Sequence, residues 1–329
     1  MFRTLALSAA AAALATAASA QSYIPNNGLI VIEMESSGAP GDWTESTSTN
    51  GFVGDSYIVW DGPNLFNSPG QGVFGFDFEV NEPGTWNLRI RNRHENPDAT
   101  EENDVWIRMN GGGWVKTFSN LPGSVGAWTW ESRFDFGHGN QPNASYNLSV
   151  GTHRIEFSGR SFGFKMDRLH LFRAGAIGQT DPEQPESIQR FGEDYGSANA
   201  NSTGQVSRID ALGYMEASEN NVVLSAFDLP SRVPGFFIAS QSSGFTANPA
   251  GSSGNLLLDG MVSRFDQQLD MTTANGTAAL RIDLNSIPTP TGTTTATSGQ
   301  TWNFQFWHRD MNGSGPTSNF SRGLRVVFE

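Results

Sequence analysis

The sequence predicts an all-β protein built from two sandwich-like units, and three observations carry that prediction. Apolar and polar residues alternate in short runs, the period of half-buried strands. The 37 glycines and 16 prolines break those runs at turn spacing. Beyond the first twenty residues, no segment long enough for a stable helix holds a helical stripe.

Residues 1–20 carry Arg3, an apolar run from Leu5 through Ala18, and the small residues Ala18-Ser19-Ala20 before Gln21. This is the pattern of an export signal, cleaved to leave a secreted protein. The alternating segments 30–35, 72–78, 86–91, 105–109 and 153–157 follow. In 86–91 the period puts Trp86, Leu88 and Ile90 inside and Asn87, Arg89 and Arg91 outside. In 105–109 it puts Val105, Ile107 and Met109 inside, with Asp104, Trp106 and Arg108 outside. Trp128 and Trp130 share a face with Phe134 and Phe136 and are expected in the core. After Arg173 the composition shifts to Gly, Pro and acids, and 174–204 reads as a linker. Strands then resume at 222–227, 235–239, 255–258, 278–284, 301–309 and 323–328, with a loop at 287–292 among them. Two folded units are expected, 28–173 and 205–329.

The formal net charge of -13 argues against a nucleic-acid partner, since phosphate binding depends on Lys and Arg. Cysteine is absent, so each unit rests on its own core or on metal. No later run approaches the roughly 20 apolar residues that a membrane span requires. The pattern Gly70-Gln71-Gly72-Val73-Phe74-Gly75 matches a dinucleotide-binding fingerprint in letters only, because it leads into a strand and not a helix. No GxSxG, HExxH or CxxC motif occurs, and the 5 histidines are scattered without ligand spacing.

Ile32-Glu33-Met34-Glu35 near the start of the first unit and Ser158-Gly159-Arg160-Ser161-Phe162-Gly163-Phe164-Lys165-Met166-Asp167-Arg168-Leu169 at its end resemble the first and last strands of carbohydrate-binding modules of families six and thirty-five. Tyr57-Ile58-Val59-Trp60, the 83–91 segment, Asn103-Asp104-Val105-Trp106, Trp128-Thr129-Trp130 and 148–153 resemble the strands between, in order. The resemblance implies a galactose-binding-like jelly roll of the agarase-associated type, with a structural Ca2+ on Glu33, Glu35 and Asp167. Strand geometry agrees independently, since residues i and i+2 share a face and stand about 7 Å apart, able to flank a hard cation. A plainly solvated strand face is the competing reading. In the modules that it resembles, the acidic loop with Glu95, Asp98, Glu101, Glu102 and Asp104 helps to shape a sugar site; a solvated charged loop is the alternative.

Sugar recognition needs a flat aromatic surface with planar hydrogen-bonding groups beside it. Trp106 is the strand-borne candidate, and loop-borne Trp43 and Trp114 are others. The resemblance favours loops at one end of the sandwich, with His94, Asn103 and Asp104 as polar partners and Tyr57 and Trp60 as further candidates. Arg89, Arg91 and Arg108 are available for the carboxylates or sulfates of an acidic glycan. The Thr301-Trp302-Asn303-Phe304-Gln305-Phe306-Trp307-His308-Arg309-Asp310 segment resembles a β-rich domain, of no established activity, that recurs near the C-terminus of exported bacterial proteins. The expectation is a secreted, non-catalytic polysaccharide-binding protein. A structural or adhesive surface protein is the alternative, and a polysaccharide-degrading enzyme, which would need two carboxylates across a sugar cleft, stands behind both.

Overall fold

The computed structural model describes residues 21–98, 100–120, 123–265 and 270–329, and the expected export signal lies outside them. Helical structure among the described residues is confined to the single 3-10 turns Met34–Ser37, Ala217–Glu219 and Pro249–Gly251.

The first half holds β1 (Ser22–Tyr23), β2 (Leu29–Glu33), β3 (Trp43–Ser46), β4 (Tyr57–Trp60), β5 (Phe74–Val80), β6 (Gly84–Arg93), β7 (Asp104–Met109), β8 (Val115–Phe118), β9 (Arg133–Asp135), β10 (Ser145–Leu148), β11 (Gly151–Ser158) and β12 (Lys165–Arg173). One sheet runs β5-β11-β7-β8-β9 and the other β10-β6-β12-β4-β3, with β2 added on β12. Alternation fills the space between them: Phe74, Phe76 and Phe78 come from one sheet and Trp86, Leu88 and Ile90 from the other, all buried. Phe74 stacks on Phe157 with ring centroids 5.1 Å apart and planes 14° from parallel. The pairing of β2 with β12 joins the two ends of this unit directly, Glu33 standing opposite Arg168.

The second half holds β13 (Gln189–Phe191), β14 (Glu193–Tyr195), β15 (Arg208–Gly213), β16 (Val222–Phe227), β17 (Pro234–Ser240), β18 (Ser242–Ala247), β19 (Asn255–Asp259), β20 (Ser263–Arg264), β21 (Asp270–Met271), β22 (Ala278–Ile282), β23 (Ile287–Thr289), β24 (Gly292–Thr294), β25 (Thr301–Asn312), β26 (Gly315–Phe320) and β27 (Gly323–Val327). Strands β22-β16-β15-β13 face β14-β27-β25-β17-β20 across a second core that includes Leu224, Phe237, Phe304 and Phe306.

The structure departs from the sequence reading in three places. The segment 174–204, read as a linker, carries β13 and β14. Two-residue β1 pairs in parallel with β5 and antiparallel with β13, so a ten-stranded sheet passes through both halves. The physical reason lies on β12: Arg168 donates to the carbonyls of Pro182 and Gln184, each at 2.6 Å, and Ser187 N–H donates to Val31 O at 2.9 Å. A Gly- and Pro-rich composition cannot reveal partners elsewhere in the chain. The expected loop at 287–292 falls within the β23–β24 hairpin, whose first pair joins Ile287 to Thr294. Finally, Trp128 and Trp130 are half-buried and Phe136 is exposed, while Phe134 joins the core.

Candidate functional site

Strand β2 ends at Glu33 and the chain tightens into the 3-10 turn, so Glu35 does not continue the strand face that alternation assigned to it. Gly38, at φ 65°, closes the turn by donating its N–H to Glu35 O at 2.9 Å. Both carboxylates nevertheless reach the loop before β4. A methyl group on Gly54 would stand 2.7 Å from Glu35 Oε1 and 3.3 Å from Glu33 Oε2. Glu35 Oε1 accepts the N–H groups of Asp55 and Ser56 at 3.1 and 3.2 Å, and Asp167 Oδ1 accepts Val53 N–H at 3.2 Å. One loop thus wraps the three acids named from the sequence.

Two guanidiniums balance part of the charge. Arg168 pairs with Glu33 and Arg91 with Asp167. Arg91, expected outside and available, is 9% exposed and also donates to Gly51 O at 2.7 Å. Its face is covered because the 128–132 stretch crosses the end of β6: Asn92 and Thr129 exchange backbone bonds, and the Trp128 ring lies 5.2 Å from the Arg91 guanidinium. Burial, with Glu33 and Asp167 close by, pushes the Glu35 carboxyl up to about 7. Burial also pushes Asp167 up to about 6, against the lowering effect of Arg91. Glu186, from the second half, accepts Glu33 N–H at 3.2 Å and is pushed up to about 7 by its own burial and by Glu33.

Glu33 Oε2 and Glu35 Oε2 are buried without a hydrogen-bond partner. Orphaned carboxylate oxygens beside a wrapping loop are the donor chemistry a hard cation takes, and the set therefore fits calcium in kind. As placed, Glu33 and Asp167 turn toward the guanidiniums and Glu35 toward the N–H groups of Asp55 and Ser56, and among the described residues no three acidic or histidine groups are gathered into a cage.

The expected sugar residues divide sharply. Trp43, Tyr57 and Trp60 are 3%, 1% and 0% exposed. Trp43 and Trp60 are cross-strand partners on β3 and β4, with ring centroids 5.1 Å apart, which turns both indoles into the core. Their N–H groups are taken by Gly72 O at 2.7 Å and Pro63 O at 2.9 Å. Tyr57 hydrogen-bonds the hydroxyls of Ser46, Ser48 and Thr49.

At the expected end site, His94 is fully buried against Ser124 Oγ at 3.0 Å, and burial lowers its pKa. Asn103 donates to Ser119 O at 2.6 Å, and buried Asp104 is paired with Arg160 and Ser161. All three polar groups are buried and engaged by the chain's own residues. The acidic loop is similarly engaged: Glu95 pairs with Arg93 at 2.7 Å, and Asp98 accepts Thr100 N–H at 2.9 Å.

Trp106 and Trp114 remain half-exposed on the outer face of β7 and just before β8. Trp106 Nε1 donates to Leu65 O at 2.8 Å, which fixes the indole against the 61–70 loop. The Arg160 guanidinium lies over both the Trp106 ring, at 5.0 Å, and the Phe66 ring, at 5.1 Å. Arg108, two residues along β7 and so on the same face, covers Trp114 at 4.5 Å and makes a forked pair with Glu156 at 2.8 and 2.9 Å. Phe66 and Phe162 are 43% and 50% exposed, and Phe162 N–H is held by Asn64 Oδ1 at 2.9 Å.

Partly open aromatic planes, held by the buried Arg160 and flanked by the half-buried Arg108, form a surface suited to the apolar face of a sugar ring. Phe66, Phe162 and Arg160 were not among the residues chosen from the sequence. The one local signal was a lone aromatic within each of two polar turns, Pro63-Asn64-Leu65-Phe66-Asn67 and Gly159-Arg160-Ser161-Phe162-Gly163.

No protein-family model and no curated protein matches this sequence. Among solved structures it is similar to a GH26-CBM35 β-(1,4)-mannanase of Podospora anserina, at 14% identity and a TM-score of 0.34 over 46% of this chain and 29% of that one. It is also similar to a cycloisomaltooligosaccharide glucanotransferase of Paenibacillus sp. complexed with cycloisomaltoheptaose, at 13% identity and a TM-score of 0.32 over 91% of this chain and 44% of that one. The chain therefore spans less than half the length of either protein. Among the described residues no helix is long and apolar enough to cross a membrane.

Proposed function

We propose that this chain is a secreted, non-catalytic polysaccharide-binding protein that receives its glycan on the outer face of β7 and the adjoining 61–70 and 159–164 loops. The observation that carries this reading is the exposed Phe66 and the half-buried Trp106 held on either side of the buried Arg160 guanidinium, continued by the half-buried Arg108 and Trp114. Buried tryptophans would have served the core alone, whereas these rings keep part of their surface open while hydrogen bonds and cation–π contacts hold them in place. A preorganised surface loses little side-chain entropy on binding.

A structural calcium belongs to the same proposal. Glu33, Glu35 and Asp167 would hold it, and it would supply the positive charge that satisfies the two orphaned oxygens and ties the 53–56 loop to the β2–β12 pair. A glycan array with the full chain, run in calcium and in chelator, tests the reading. Binding to one glycan class is expected, weakened at least tenfold by Trp114→Ala or Phe66→Ala without loss of folding. Absence of any ligand across the array would move the assignment to a structural or adhesive role.

A further inference from the structure

Strand register matches basic side chains with acidic ones across the outer face of β7 and its neighbours. Glu156 of β11 stands directly opposite Arg108 of β7, Arg154 of β11 opposite Asp77 of β5, and Lys116 of β8 opposite Asp135 of β9. Each opposition is an ion pair: Arg108 with Glu156 at 2.8 Å, Arg154 with Asp77 at 2.9 Å and Lys116 with Asp135 at 3.1 Å. Buried Arg160, between Phe66 and Trp106, is paired with Asp104. Four basic side chains thus meet four carboxylates, in a chain whose formal net charge is -13.

Among the three cross-strand pairs, Arg108 with Glu156 is the forked one. Arg108 Nε donates to Oε2 at 2.8 Å and Nη2 to Oε1 at 2.9 Å, so both carboxylate oxygens are used. The same guanidinium lies 4.5 Å from the Trp114 ring, which puts the fork beside the aromatic platform. Gly75, opposite Glu156 on β5, leaves the carboxylate its place. A methyl group there would stand 2.9 Å from Glu156 Cγ and 2.5 Å from Ile155 O. A planar fork is the geometry with which arginine takes a carboxylate or a sulfate. Glu156 therefore already fills the position that an acidic sugar would need.

We infer that the β7 face is selective for uncharged glycans, and that Glu156 sets this selectivity by closing the Arg108 fork against carboxylate and sulfate groups. The inference rests on the reading of β7 as a glycan site and specifies what that site accepts. A sugar ring that stacks on Trp106, Trp114 or Phe66 needs no charge. An anionic sugar would bring its charge up to Glu156 and could gain Arg108 only by displacing it, and that repulsive element is what rejects it. Arg108, marked in the sequence as available to an acidic glycan, is taken by the chain itself.

Titration of the full chain with uncharged galactan, xylan and glucan oligosaccharides, and with their sulfated forms, tests this. At least one uncharged probe should bind, with an affinity that changes less than about twofold between roughly 0.05 and 0.5 M NaCl. Its sulfated form should bind at least about tenfold more weakly. Glu156→Gln opens the fork, so the ratio of sulfated to uncharged affinity should rise at least about tenfold, and the sulfated probe should become salt-sensitive. Adding Arg108→Gln should abolish that gain. The inference is overturned if the parent chain binds the sulfated form as well as the uncharged one in a manner that Trp114→Ala abolishes, a result that needs no Glu156 variant to fold. It is equally overturned if folded Glu156→Gln gains nothing for the sulfated probe. Either outcome leaves the β7 face standing as a glycan site. Failure of every uncharged and sulfated probe to bind would overturn that reading and this inference together.

Discussion

Gly159 lies so close beneath the indole of Trp60 that a methyl group on its Cα would overlap the ring, and Gly62 meets the same ring from its own loop. The constraint is steric, since Gly159 does not adopt a left-handed φ. Trp60 is fully buried, so it has no free space to enter. Gly159→Ala is therefore expected to cost about 3 kcal/mol by overpacking, read from urea unfolding of the full chain. A loss below about 1 kcal/mol would show that the indole can move aside.

Arg168 joins three things at once: Glu33 across the β2–β12 pair and the carbonyls of Pro182 and Gln184. Arg168→Met in chelator should cost roughly 3–5 kcal/mol, because it leaves Glu33 buried and unpaired. Hydrogen exchange at the Ser187 amide should accelerate at the same time. The double variant Arg168→Met with Glu33→Gln should recover a large part of the loss, whereas simple additivity of the two would contradict the pairing.

The raised carboxyls set a pH dependence whose sign follows from linkage. Glu35 and Glu186, at about 7, bind protons in the folded state that they release when unfolded near the ordinary carboxylate value. Stability in chelator should therefore fall as pH rises through about 7. His94, His170 and His308 are lowered and act in the opposite sense, but only below their unfolded value near 6.5. Melting temperatures between pH 6.5 and 8 isolate the carboxylates, and saturating calcium should flatten the slope. A rise in melting temperature over that window in chelator would contradict the assignment.

His170 is fully buried, hydrogen-bonded through Nδ1 to Gln179 O at 3.1 Å, and packed on Trp130 at 4.3 Å. Burial lowers its pKa to about 4. Its folded pKa lies below its unfolded one, so the stability it contributes is present above about 6.5 and is lost as pH falls toward 4. Proton NMR should show the His170 ring neutral at pH 5.5, and a midpoint near 6.5 would refute its burial as neutral imidazole.

Much of this molecule was legible in its residue order. The period-two runs placed Trp86, Leu88 and Ile90 in the core and β17, β22 and β25 near their observed bounds, because one buried face per strand leaves its mark on every second residue. The acids Glu33, Glu35 and Asp167 were also named in advance, and they share one loop although Glu35 stands in a 3-10 turn. Exposure of individual aromatics was not legible. Trp43 and Trp60 resemble sugar platforms in sequence and became core through cross-strand pairing, while Phe66 and Phe162 gave only a faint signal and stand open.

Local pattern fixes which face of a strand is apolar, and that determined the all-β class and most strands of both cores. Which strand meets which is a matter of contacts between residues far apart in the chain, and only the tertiary structure decided those. It put Arg168 into the carbonyls of 182 and 184, stitched β1 between β5 and β13 so that one sheet crosses both halves, and set Arg160 over Phe66 and Trp106. Each of these depends on a partner many residues away, which no local period encodes.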